Sequence, residues 1–88
     1  MDFEPPANLE HVDYSSNLIS KIENVNKNKY LKVLNLDKNC IQRIEGLSQN
    51  KSLRIVSLNN NQIKRIENLD DDLKIEQLYL SQNSITHI

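Results

Sequence analysis

The chain has 88 residues and a formal net charge of −1, from 11 basic and 12 acidic side chains. That balance leaves no electrostatic footprint for nucleic acid or for an anionic membrane surface, and the length suits one small domain or part of one. No apolar run approaches a membrane span, the opening "MDFEPPANLE" lacks the basic and apolar regions of a secretory signal, and a single cysteine, Cys40, excludes an internal disulfide framework.

Taken in chain order, the sequence repeats itself. Residues 1–8 read as the tail of a preceding repeat, since Phe3 stands 22 positions before Val25. Residues 9–30, 31–52 and 53–74 are complete units, opening "LEHVDYSSNLISKIENV", "LKVLNLDKNCIQRIEGL" and "LRIVSLNNNQIKRIENL". Residues 75–88, "IEQLYLSQNSITHI", begin a further unit and stop within it, so the chain reads as a fragment of a longer protein.

Numbering each unit from its first residue, positions 1, 4, 6, 11 and 14 are apolar in all four copies and position 17 in the three that reach it. Positions 4 and 6 alternate with polar neighbours, which predicts a short strand with one buried face. Position 9 is asparagine throughout: Asn17, Asn39, Asn61 and Asn83. A turn that folds backbone groups inward must satisfy them, and the carboxamide carries both a donor and an acceptor. A stack of asparagines, one per coil, is therefore expected to tie the coils together. Position 16 is Asn24, Gly46 and Asn68, residue types that tolerate positive φ, so the lone glycine marks a backbone requirement.

The pattern LxxLxLxxNxIxxI resembles the 22-residue intracellular leucine-rich repeat, with "IENL" or "IEGL" closing the units. The resemblance implies an α/β-type leucine-rich-repeat solenoid. Its short parallel strands would form the concave face, and irregular or 3-10 segments would return along the convex face.

Nothing in the chain converges on chemistry, and the expectation is a protein without enzymatic activity, cofactor, metal or small-molecule substrate. His11 and Asp13 lie on one strand face but lack a nucleophile. The run Asp70, Asp71 and Asp72 lacks the alternation and later glutamate of a calcium loop. Lys21, Arg43, Arg65 and His87 share position 13, while Glu23, Glu45 and Glu67 share position 15, so two charged rows should attract across the stack.

The strand face is the expected binding surface, because its outward positions 3, 5, 7 and 8 are not set by the apolar core. Val33 and Ile55 fall side by side there, beside Tyr79, among Asn35, Ser57, Gln77 and Asp37. An apolar pair with a tyrosine on a polar surface suits protein binding. Four such strands give a face of about 320 Å², under half of the roughly 800 Å² that one side of a stable interface contributes.

Two longer stretches, "FEPPANLEHVDYSSNLIS" and "LDDDLKIEQLYLSQNSI", are similar to the leucine-rich-repeat family of motile-cilium radial spokes, although Asp72–Leu73 stand where that family has leucine–proline. This resemblance implies a structural scaffold in the cytoplasm, in the axoneme of a cilium or flagellum, with spoke or other axonemal proteins as partners and no direct contact with membrane or nucleic acid. Similar repeats also occur in dynein-assembly factors, a phosphatase regulatory subunit and spliceosomal scaffolds.

Overall fold

The computed structural model describes residues 10–23, 25, 28–69 and 73–86. The tail read in residues 1–8 and the features assigned to Asn24, Asp70–Asp72 and His87 lie outside them. Four three-residue strands, β1 (His11–Asp13), β2 (Val33–Asn35), β3 (Ile55–Ser57) and β4 (Gln77–Tyr79), form one parallel sheet in sequence order. Each strand pairs with the next at the repeat offset, aligning Val12, Leu34, Val56 and Leu78. The middle residue points inward and its neighbours outward, as the period-two alternation requires.

Identical positions stack into continuous apolar rows. Leu31, Leu34, Leu36, Ile41, Ile44 and Leu47 of the second unit are buried, as are Leu53, Val56, Leu58 and Ile63 of the third. Leu69, Ile75, Leu78, Leu80 and Ile85 pack against this core while remaining partly accessible. The return segments are irregular, with turns and no helical stretch among the described residues. The molecule measures 34 × 29 × 16 Å. Its thin axis fits the stacking direction, since three steps of about 4.8 Å span roughly 14 Å.

Two positions per coil require a left-handed backbone. Position 16 behaves as expected, with Gly46 at φ 76° and Asn68 at φ 60°. Asn68 Nδ2 donates to the Ile44 carbonyl of the preceding coil at 2.7 Å. At Gly46 the coils approach so closely that an added Cβ would lie 2.8 Å from the Ile22 carbonyl oxygen. The second position is 8, where Ser16, Lys38, Asn60 and Gln82 all lie between φ 58° and 60°. Position 8 faces outward, away from the apolar core, as expected, and its backbone is nevertheless set by the turn. The chain reverses there, and the amides of Ser16, Lys38 and Asn60 each donate at 2.9 Å to the position-7 carbonyl of the next coil.

The asparagine stack forms as the spacing demands. Asn39 Nδ2 donates to the carbonyls of Tyr14 in the preceding coil (3.1 Å) and of Leu36 and Asp37 in its own (2.9 and 3.1 Å). Asn39 Oδ1 accepts from the Ile19 amide at 3.0 Å. Asn61 repeats the arrangement with Leu36, Leu58 and Asn59 and accepts from Ile41. Asn83 does so with Leu58, Leu80 and Ser81 and accepts from Ile63. Asn39 and Asn61 are buried, whereas Asn17 is exposed and bonds only to the Tyr14 and Ser15 carbonyls of its own coil.

A second ladder lies across the core. Asn28 and Asn50 share position 20 and are fully buried. Asn50 Nδ2 donates to the Val25 and Asn28 carbonyls at 2.8 and 3.0 Å. Asn28 and Asn50 recur at the repeat interval, outside the apolar and position-9 pattern.

These contacts set two expectations. Asn61→Ala strands several buried backbone groups and should destabilise the fold by about 3–4 kcal/mol in urea titrations. Asn17→Ala should cost only about 1 kcal/mol. Gly46→Ala combines positive φ with a backbone clash and should cost about 1–3 kcal/mol. Gly46→Asn should cost less, because its carboxamide can donate to Ile22 as Asn68 does to Ile44.

Candidate protein-binding face

The sheet register carries three outward rows across the coils. Row 3 is His11, Val33, Ile55 and Gln77, and row 5 is Asp13, Asn35, Ser57 and Tyr79. Row 7, just beyond the strands, is Ser15, Asp37, Asn59 and Ser81. Val33 and Ile55 are direct neighbours, as expected, but both are half-buried. Two branched side chains on strands about 4.8 Å apart shield each other. Tyr79 keeps 46% of its surface exposed, and its hydroxyl donates to Gln77 Oε1.

Rows 5 and 7 form a relay that holds the loop after each strand. The Ser15 amide donates to Asp13 Oδ1 and the Asp37 amide to Asn35 Oδ1, each at 2.9 Å. In the third and fourth coils row 5 holds Ser57 and Tyr79, and the acceptor comes instead from row 7 of the coil before. The Asn59 amide donates to Asp37 Oδ1 at 2.8 Å, and the Ser81 amide to Asn59 Oδ1 at the same distance. The hydroxyls of Ser57 and Ser81 join the same two oxygens at 2.6 and 2.8 Å. Every row-7 amide thus reaches an Asp or Asn oxygen, and Asn35, Asp37 and Ser57 have structural work that their sequence positions alone did not disclose.

An ion pair joins the first two coils beside the strands. Lys32 Nζ lies 2.9 Å from Glu10 Oε1. The hydrogen bond and charge of that ammonium hold the Glu10 carboxyl below its ordinary value. Bonds from the Ser15 hydroxyl and amide hold Asp13 down in the same way. Tyr14 takes the core row occupied elsewhere by leucine, and burial raises its phenol.

On the return side, Arg43 Nε meets Glu67 Oε1 at 3.2 Å, so the basic and acidic rows attract diagonally between coils. An open groove of about 320 Å³ lies there, lined by Gln42, Arg43, Lys64, Arg65 and Glu67. Among the described residues no group of three or more His, Cys, Asp or Glu side chains could hold a metal ion, and no helix is long and apolar enough to cross a membrane. Cys40 is half-buried with a free thiol.

Residues 31–71 match the family described as Leucine Rich repeats (2 copies). No curated protein and no solved structure matches the chain. The family match covers the second unit and most of the third, and the parallel sheet with its asparagine stack carries the same architecture through the described parts of the first and fourth. The fold is a leucine-rich-repeat solenoid. Repeats of this class are non-catalytic motifs that bind protein partners, commonly through the strand face.

The depressed carboxyls of Glu10 and Asp13 set a pH dependence. Their stabilising contribution is present above the ordinary values of 4.5 for Glu10 and 3.8 for Asp13, and is lost as pH falls through the lowered ones. The urea midpoint should hold steady above about pH 5 and decline below it. Lys32→Ala should flatten the part of that decline that belongs to Glu10.

Proposed function

We propose that this solenoid is a non-catalytic scaffold whose strand face docks protein partners, and that it serves in the ciliary axoneme as a structural component of the radial spoke. The observation that carries the docking surface is the juxtaposition of Val33 and Ile55 on β2 and β3, next to Tyr79 on β4. Val33 and Ile55 are only half-buried against each other and Tyr79 keeps 46% of its surface exposed, so apolar surface remains available to a partner. The face of four short strands is small for a stable interface, and flanking surfaces share the contact. The axonemal placement is supported by the two sequence stretches that resemble the radial-spoke family.

Val33→Ser, Ile55→Ser and Tyr79→Ser together leave the asparagine stack and the row-7 relay in place. The triple variant should keep its circular dichroism spectrum and lose partner binding in a co-precipitation from axonemal extract. Unchanged recovery by a folded variant would remove the strand face as the docking surface. Placement is tested separately, by quantifying the endogenous protein in detergent-extracted axonemes, cytosol and nuclei. Retention in axonemes supports a stationary spoke scaffold. A soluble cytosolic pool would replace it with a dynein-assembly or phosphatase-regulatory role, and a nuclear pool with a spliceosomal one.

A further inference from the structure

Recognition on the strand face needs side-chain groups not already committed to the backbone. The oxygens of Asn35, Asp37 and Asn59 are committed to row-7 amides. Charged groups held only by exposed or long contacts lie at the opposite ends of the strands, where row 2 (Glu10, Lys32, Arg54 and Glu76) immediately precedes them. Lys32 is paired with Glu10, but both side chains are 54% exposed, so a partner's carboxylate competes for Lys32 on nearly equal terms. Arg54 donates only long bonds of 3.4 Å to the Lys51 and Leu53 carbonyls, and among the described residues it meets no carboxylate. Two cations, one exchangeable and one that meets no carboxylate among the described residues, therefore precede Val33 and Ile55 directly in the chain on the same two adjacent coils.

We propose that the partner element recognised here is an acidic–apolar helix lying along the stack. Its apolar stripe covers Val33 and Ile55, and two carboxylates one helical turn apart reach Lys32 and Arg54. The spacings agree: adjacent strands lie about 4.8 Å apart, and helix residues at i and i+4 are about 5–6 Å apart. The Arg54 guanidinium offers a planar fork suited to a carboxylate. Glu10 and Glu76 end the row on either side, so the preferred helix carries its acids centrally and not at its ends. This inference rests on the strand-face reading above and adds the chemistry of the partner.

The test uses the 88-residue chain and three fluorescein-labelled helical peptides sharing a leucine stripe, with Glu, Gln or Lys at the paired i and i+4 sites. Fluorescence anisotropy should show the Glu peptide binding about tenfold more tightly than the Gln peptide, and the Lys peptide weakest. Lys32→Gln with Arg54→Gln should erase the advantage of Glu over Gln, and Val33→Ser with Ile55→Ser should weaken both peptides alike. Equal binding of Glu and Gln peptides, lost in the Val33/Ile55 variant, would overturn the acidic partner and leave the strand face standing. Glu-peptide binding indifferent to Val33 and Ile55 would overturn the strand-face reading as well. Absence of binding by all three peptides to the folded chain would overturn the proposal.

Discussion

The structure depends on one bonding requirement. Each time the chain leaves its strand and turns back, it points carbonyls and an amide into the interior, where water cannot reach them. The position-9 asparagine answers that requirement, and half of its bonds go to the preceding coil. Asn39 joins its own Leu36 and Asp37 to the Tyr14 carbonyl and the Ile19 amide of the first unit, and Asn61 and Asn83 do the same one and two coils on. A coil of this kind cannot satisfy its backbone alone. The apolar rows supply the bulk of the burial, while the carboxamides set the distance and rotation at which coils meet. Position 16 serves the same interface from the far side, by close approach at Gly46 and by a bond to Ile44 at Asn68.

That division separates residues that build the solenoid from those left over to recognise something. The relay through Asp13, Asn35, Asp37 and Asn59 looks like a polar binding surface in the sequence, yet its oxygens are held by loop amides. What these backbone bonds leave accessible is part of the apolar pair Val33 and Ile55, the ring of Tyr79 and the cations of row 2. A surface of this composition suits a folded or folding protein segment, in which apolar burial supplies affinity and charge sets orientation. Leu18, 88% exposed at the opposite turn, stands apart from this cluster.

Much of the fold was legible because a solenoid imposes its period on the sequence. The apolar rows, the strands at positions 3 to 5, the asparagine stack and the positive φ at Gly46 and Asn68 follow from residue type and spacing. The features that escaped share a cause. Lys38 adopts a left-handed conformation that it does not favour, because the bond of its amide to the Asn59 carbonyl of the next coil overrides local preference, and Gln82 keeps the same conformation at the same position. The row-7 amides take their acceptor from the same coil where row 5 is Asp13 or Asn35, and from the previous coil where it is Ser57 or Tyr79. No single column of the repeat shows that exchange. Val33 and Ile55 were legible as neighbours, but their mutual shielding depends on how branched side chains meet across strands. Asn28 and Asn50 were visible at the repeat interval and were eclipsed by the stronger signal at position 9.

Amide hydrogen exchange is the most direct measurement of the central claim. The amides of Ile19, Ile41 and Ile63 lie outside every strand and, among the described residues, reach no acceptor but the asparagine oxygen of the next coil. If those carboxamides lock the coils together, these three amides should be protected as strongly as the Leu36 and Leu58 amides that link adjacent coils just past their strands. Exchange at the rates of open loops, with Leu36 and Leu58 still protected, would show that the apolar rows hold the stack without the asparagines and would contradict this account.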